Sequence, residues 1–185
     1  MQIKKAYKTS YILFHILKSR NHKTYLLAYS SYVRSLLEFA TEVWNPSTQE
    51  LKMKVENVQK YFTRRIFARC RLPKQNYVER LKFLDLQTLE DRREMTDIVM
   101  THKILHQNTN LSFEKVFNML KSRRNWPQFI PTTLNRNTCK NMFNRVVLTW
   151  NKVCRKDPAL ICIRDPNIFR AKLHKNYNEI FKSDE

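Results

Sequence analysis

The sequence contains no glycine at all, and that absence removes more folds than any other property of the chain. At the usual abundance of about 7%, a chain of this length would hold on the order of a dozen. Glycine enters positive φ without steric cost, so tight hairpins and phosphate-cradling loops depend on it. Without it there is no Walker-type or dinucleotide-binding loop and no glycine-flanked nucleophile elbow. Asn is the one other comfortable occupant of positive φ, so an all-β fold is not expected. The 185 residues are 42% apolar and 12% aromatic, enough for a packed core in one domain or two small ones. The expected fold class is all-α.

Apolar spacing supplies the helices. Val33, Leu36, Leu37, Ala40, Val43 and Trp44 recur at steps of three and four, which predicts a helix over residues 26–44 with one buried face, ended by Pro46. Ser47 with Glu50 reads as a capping box for the next helix, whose inner stripe is Val55, Val58, Phe62 and Ile66 and whose end lies near Cys70. Asn76 with Glu79 starts a short helix over 77–84. Thr88 with Asp91 caps a long one, lined by Met95, Ile98, Val99, His102 and Leu105, that runs to about Gln107. Phe113, Val116, Phe117 and Leu120 suggest a short amphipathic helix. Pro127, Pro131 and their polar neighbours then mark residues 121–137 as a Pro/Arg loop. A final pair is predicted over 138–155, with Val146, Val147, Trp150 and Val153 inward, and over 166–181, with Phe169, Leu173, Tyr177 and Ile180 inward. Asp165-Pro166 opens the last helix. The expected organisation is a helical bundle over 1–109 and a looser helical region over 110–185.

Charge sets the expected partner. Thirty-five Lys and Arg against 16 Asp and Glu give +19, an excess that self-repels unless a polyanion offsets it. Nucleic acid is the default partner, ahead of an acidic membrane surface. No apolar run approaches the roughly 20 residues of a bilayer span, and no secretory signal is apparent. The acid-free segment 1–37 overlaps transit peptides in composition, yet a nuclear or cytoplasmic setting is expected over an organellar one. Cys70, Cys139, Cys154 and Cys162 are dispersed without C-x-x-C spacing, which points to buried thiols in a reducing compartment.

Four pieces of the sequence resemble one family in order. Tyr29-Ser30-Ser31-Tyr32-Val33-Arg34-Ser35-Leu36-Leu37-Glu38-Phe39-Ala40 with Val43-Trp44-Asn45-Pro46 forms the first. The second is Glu56, Val58-Gln59-Lys60 and Phe62-Thr63-Arg64-Arg65-Ile66. The third runs from Glu79-Arg80-Leu81 through Leu84, Leu86, Leu89-Glu90, Arg92-Arg93 and Asp97 to Lys103-Ile104-Leu105. The fourth is Phe143, Arg145-Val146-Val147 and Trp150-Asn151. Together they resemble the segment that follows the palm in reverse transcriptases of non-LTR (LINE-type, jockey-like) retrotransposons. Ser35 stands where that family usually has proline, and Val153-Cys154 where it usually has Leu-Pro. The resemblance implies a thumb and C-terminal region of an RNA-directed DNA polymerase, without palm or endonuclease. Its polymerase site needs adjacent aspartates for two metal ions, and no two of Asp85, Asp91, Asp97, Asp157, Asp165 and Asp184 are adjacent. No catalytic residue, metal site or cofactor is therefore expected in this chain.

A thumb grips primer-template nucleic acid, RNA–DNA hybrid or duplex, through phosphates and not bases. The candidate phosphate contacts are Arg34, Lys52, Lys60, Arg64, Arg65, Arg69, Arg71, Lys74, Arg92 and Arg93, with Arg123 and Arg124 in the loop beside Trp126, which reads as a candidate for exposed base stacking. Trp44 and Trp150 read as core residues. His102 and His106 have the spacing of a helical metal pair but lack a third ligand nearby, and Cys154, Cys162 and His174 match no zinc spacing. Asn76–Leu84 is too short and apolar for a recognition helix. Besides nucleic acid, the missing palm is an expected partner. The alternative is an independent basic helical module that binds a protein through its apolar stripes.

Overall fold

A computed structural model of the chain describes residues 2–39, 41, 46, 48–106, 109–110, 118–120, 128–130 and 142–181. Among these the protein is all-helical apart from one short pair of strands. The helices are α1 (Gln2–Ile16), α2 (His22–Ala28), α3 (Ser35–Leu37), α4 (Gln49–Arg69), α5 (Tyr77–Phe83), α6 (Leu89–Leu105), α7 (Met142–Lys156), α8 (Pro158–Ile161) and α9 (Pro166–Phe181). A π-helical stretch, Tyr29–Arg34, joins α2 to α3 with helical backbone at both junctions. None of the described helices is long and apolar enough to cross a membrane.

Several start signals act as the sequence suggests. Asn76 accepts from Glu79 N at 2.9 Å and the Glu79 carboxylate accepts from Asn76 N, a complete capping box. Thr88 Oγ1 accepts from Asp91 N at 3.1 Å, and Asp165 Oδ1 from Asn167 N at 2.7 Å. The start of α4 differs: Thr48, not Ser47, is the cap, its Oγ1 accepting from Leu51 N at 3.3 Å. The rod through α2 and α3 ends at Leu37, short of the expected 44, while Trp44 lies outside the described residues. α1 has no counterpart among the sequence-based elements. Leu120, expected to close a helix, lies instead in β1 (Asn118–Leu120), which pairs antiparallel with β2 (Gln128–Ile130). Phe113, Val116 and Phe117, and the remainder of the 121–137 loop, lie outside the described residues.

The chain divides into two compact units, Met1–Ala40 with Pro46–Arg92, and Thr41–Asn45 with Arg93–Glu185. The division falls within α6 and not after residue 109. The reason lies in the side chains: Met95, Ile98, Val99 and Ile104 are buried together with residues of α7, α8 and α9. Each unit encloses its own core. In the first, the Phe62 ring packs at a tilt 4.7 Å from Phe14 and 4.9 Å from Tyr29, among Val33, Val55, Val58 and Ile66. In the second, Trp150 and Phe169 are fully buried among Val146, Val147, Leu173 and Tyr177.

The missing glycines leave a visible mark where helices stop. Arg71 (φ 56) and Asp85 (φ 51) occupy the left-handed region, one residue beyond the caps of α4 and α5. Leu72 N donates to Phe67 O and Arg71 N to Ala68 O. Leu86 N donates to Leu81 O and Asp85 N to Lys82 O. Both ends are thus Schellman motifs, whose left-handed position glycine normally fills. A Cβ there costs on the order of 1 kcal/mol. Asp85→Gly should accordingly stabilise the first unit by about 1 kcal/mol, read as a raised midpoint in urea unfolding. An unchanged or lowered midpoint would show that the Asp85 side chain offsets the strain.

Candidate nucleic-acid interface

Helix α4 has two opposed characters. Its inner side carries Val55, Val58, Phe62 and Ile66, all buried, and between them the polar pair Glu56 and Gln59. Gln59 is fully buried and its amide is saturated: Tyr29 donates to Oε1 at 2.6 Å, while Nε2 donates to Tyr77 Oη at 3.0 Å and to Gln87 O at 2.9 Å. Glu56 accepts from the Tyr77 hydroxyl and, at 3.0 Å, from Leu89 N at the start of α6. Burial, reinforced by the Glu56 charge, raises the pKa of both phenols, so they stay protonated donors. One helix face thereby anchors the π-helical stretch, α5 and the first turn of α6. Hydrophobic periodicity gave no notice of this node, because it rests on polar residues inside an apolar stripe.

Around the rest of α4 and in the turn that follows lie Lys60, Arg64, Arg65, Arg69, Arg71 and Lys74, all exposed; Lys60 and Arg64 point away from the buried stripe, while Arg65 and Arg69 flank it. No acidic residue occurs between Glu56 and Glu79, and none of the six forms an ion pair with a described residue. Their recorded contacts are with rings and carbonyls. Lys60 Nζ lies 5.3 Å over the Tyr77 ring, Arg65 lies 5.3 Å over Phe14, and Arg69 Nη2 comes within 3.5 Å of Leu17 O. Arg80 packs at the edge of this face, donating to Gln75 O at 2.8 Å. Burial lowers its pKa, and the Arg64 charge adds to that.

The remaining candidates have other occupations. Lys52 Nζ donates to Glu90 at 2.6 Å. Arg34 lies 3.9 Å from Glu38. Arg92 forms a bidentate pair with the same Glu38, whose hydrogen bonds raise the guanidinium pKa against the opposing effect of burial. Arg93 is only 3% exposed. Arg123 and Arg124, with Trp126, lie outside the described residues. The structure therefore brings together the candidates of α4 and its C-terminal turn, and turns Arg92 and Arg93 toward the protein.

In the second unit the strongest polar contact is Asp97 with Arg145. The guanidinium donates to both carboxylate oxygens, Nε to Oδ2 at 2.5 Å and Nη2 to Oδ1 at 2.7 Å, and Nη2 also donates to Thr41 O at 2.7 Å. Asp97 and Thr41 are buried. His102 is a core histidine: its ring stacks 3.9 Å from Phe169, and Nε2 donates to Ile163 O at 2.5 Å. His106 Nε2 donates in turn to Ile161 O at 3.1 Å. Among the described residues no group of three or more His, Cys, Asp or Glu is placed to hold a metal ion. Cys154 is buried, which pushes its thiol pKa up to about 12, while Cys162 is exposed.

No family model matches the chain, and no solved structure does. Over 93 residues it is 28% identical to an uncharacterized protein of Caenorhabditis elegans, a match covering 50% of this chain and 47% of that protein. The chain thus spans about half the length of the curated relative it matches.

Two outcomes test this geometry. Arg145→Ala removes the bidentate cation from a buried carboxylate and should cost about 3–5 kcal/mol in denaturant unfolding of the second unit, far more than Lys54→Ala in the exposed pair of Lys54 with Glu50. Burial drives the His102 pKa down to about 4, with the His106 ring adding and the Ile163 carbonyl opposing. An unfolded histidine titrates near 6.5, so the neutral imidazole stabilises the fold fully above about pH 6.5 and loses that contribution as pH falls toward 4. The pH-dependence of unfolding free energy should be flatter in His102→Asn than in the parent between those limits; parallel curves would contradict the assignment.

Proposed function

We propose that this chain is the thumb and C-terminal region of a non-LTR reverse transcriptase, and that it holds primer-template nucleic acid by its phosphates. The observation that carries the reading is the exposed, acid-free run Lys60, Arg64, Arg65, Arg69, Arg71 and Lys74 along α4 and the turn after it, while the inner face of α4 is locked into the core. Cations repeated along an outward helix face match a charged ribbon and read no sequence, as a polymerase clamp requires. The polymerase chemistry, with its metal-binding carboxylates, would belong to the palm of the parent protein. A nuclear or cytoplasmic setting accords with that role.

The resemblance draws support from how its pieces meet. Glu38 of the first piece pairs with Arg92 of the third, and Asp97 of the third with Arg145 of the fourth. Glu56 of the second accepts from Leu89 N of the third. Residues from separate blocks are thus mutual partners, which is what a shared fold would produce. The competing reading, a protein-interaction module, draws on the exposed apolar side chains Leu27, Tyr32 and Phe39, a surface on which a palm could equally rest.

With six phosphates engaged, affinity for hybrid or duplex should fall on the order of a thousandfold between about 50 and 200 mM salt. Lys60→Ala with Arg64→Ala should reduce the salt slope by about 2; Arg92→Ala should leave the slope alone while lowering stability. Arg71→Gly should both weaken binding and stabilise the fold by about 1 kcal/mol, because the left-handed position favours glycine. A salt-independent affinity in filter-binding or anisotropy titrations would refute the clamp.

A further inference from the structure

Helix α1 carries a second feature that the phosphate clamp does not use. Lys4, Lys8, Tyr11, His15 and Lys18 follow one another at steps of four, three, four and three, and all are exposed. That spacing sets the first four along one flank of α1, and Lys18 follows two residues past its end. The buried residues Ala6, Ser10 and Phe14 occupy a different side, facing the core. Tyr11 is 64% exposed, and the His15 ring lies nearly parallel to it, 11° from coplanar at a centroid distance of 6.4 Å. Two flat rings therefore stand side by side in solvent with a lysine on either side.

The flank adjoins α4. Tyr7 meets Tyr61 edge to face at 5.5 Å, and Arg65 spans both the Phe14 and Tyr61 rings, at 5.3 and 5.9 Å. Arg65 and Arg69 thus extend the cations of α1 onto α4. No acidic residue occurs in residues 1–37 or 57–78, so neither contributing segment carries a carboxylate. Rings for base stacking, flanked by cations for a backbone, are the elements that single-strand-binding surfaces combine. In a duplex the base faces are already stacked on one another, and such rings find no partner.

We infer that the α1 flank binds single-stranded nucleic acid, with unpaired bases stacked on Tyr11 and His15 and the backbone phosphates held by Lys4, Lys8, Lys18 and Arg65. The inference rests on the phosphate-clamp reading and adds to it a distinct ligand form and a set of residues that shares only Arg65 with the clamp. A clamp with this flank holds duplex on α4 and an adjoining unpaired stretch on α1. An anionic membrane surface would also attract the lysines, but it would draw on the neighbouring Ile12 and Ile16 and gain little from parallel aromatic rings.

The test compares the full 185-residue chain with Tyr11→Ala and Tyr11→Phe by fluorescence anisotropy on oligo(dT), oligo(rU), a DNA duplex and phosphatidylserine vesicles. Tyr11 is exposed, so thermal melts of the three proteins should coincide. Tyr11→Ala should weaken binding to both single strands about tenfold or more at an unchanged salt slope, Tyr11→Phe should retain it, and duplex affinity should not move. Equal single-strand affinity in all three proteins would overturn the inference while duplex binding still upheld the clamp. So would a loss shared equally by duplex, or a Tyr11→Ala defect confined to vesicles. Absence of salt-dependent binding to any of the nucleic acids by the parent chain would overturn the clamp reading itself.

Discussion

The first unit depends on a saturated polar node set into an apolar helix face. Gln59 can accept from Tyr29 and donate to Tyr77 and Gln87 only when the π-helical stretch, α5 and the segment leading into α6 all close on α4 at one register. Glu56 adds a carboxylate that must be met by the Tyr77 hydroxyl and Leu89 N. A buried amide or carboxylate left half-paired is costly, so such a node selects one arrangement where grease alone would tolerate several. Fixing the inner face of α4 also decides which side chains face outward, and the cation run is what remains.

The same logic sorts the charges. Of the basic residues in the four resembling blocks, Arg92 and Arg145 hold carboxylates, and Arg93 lies buried. These are cations serving the fold. Exposed pairs such as Lys54 with Glu50 contribute little by comparison, since water and salt screen them. The large positive balance is therefore not spread evenly in its consequences: part is neutralised inside, and part stands unopposed along α1, α4 and the turn after α4.

Absence of glycine shapes the joints as well as the fold class. Its sequence-level consequence, few positive-φ turns, is visible in a chain where helices end on Schellman motifs closed by Arg71 and Asp85. Asn was the expected occupant of such positions, and neither site uses it. Arg71 places a cation at a strained position next to the basic run, where the strain is tolerated because Leu72 and Phe67 complete the motif.

Helices, their inner stripes and most of their caps could be read from the order of residues, because periodicity and capping are local properties. The inner residues Val55, Val58, Phe62 and Ile66, with Met95, Ile98 and Val99, Val146, Val147, Trp150 and Val153, and Phe169, Leu173, Tyr177 and Ile180 at their helical steps, are buried as their spacing required. Helix α1 escaped that reading since its apolar residues, bunched at Ile12–Phe14 and mixed with lysines before that, trace no clean stripe, and the Thr48 cap escaped because two adjacent hydroxyls competed for the role. The division inside α6, the roles of Glu56 and Gln59, and the separation of Arg92 from Arg64 all rest on partners far away in the chain. A lysine or arginine carries the same charge in either role, and only its distance from a carboxylate decides which one it plays. Composition made this a basic helical protein; tertiary packing determined which of its cations hold the helices together and which are left facing solvent.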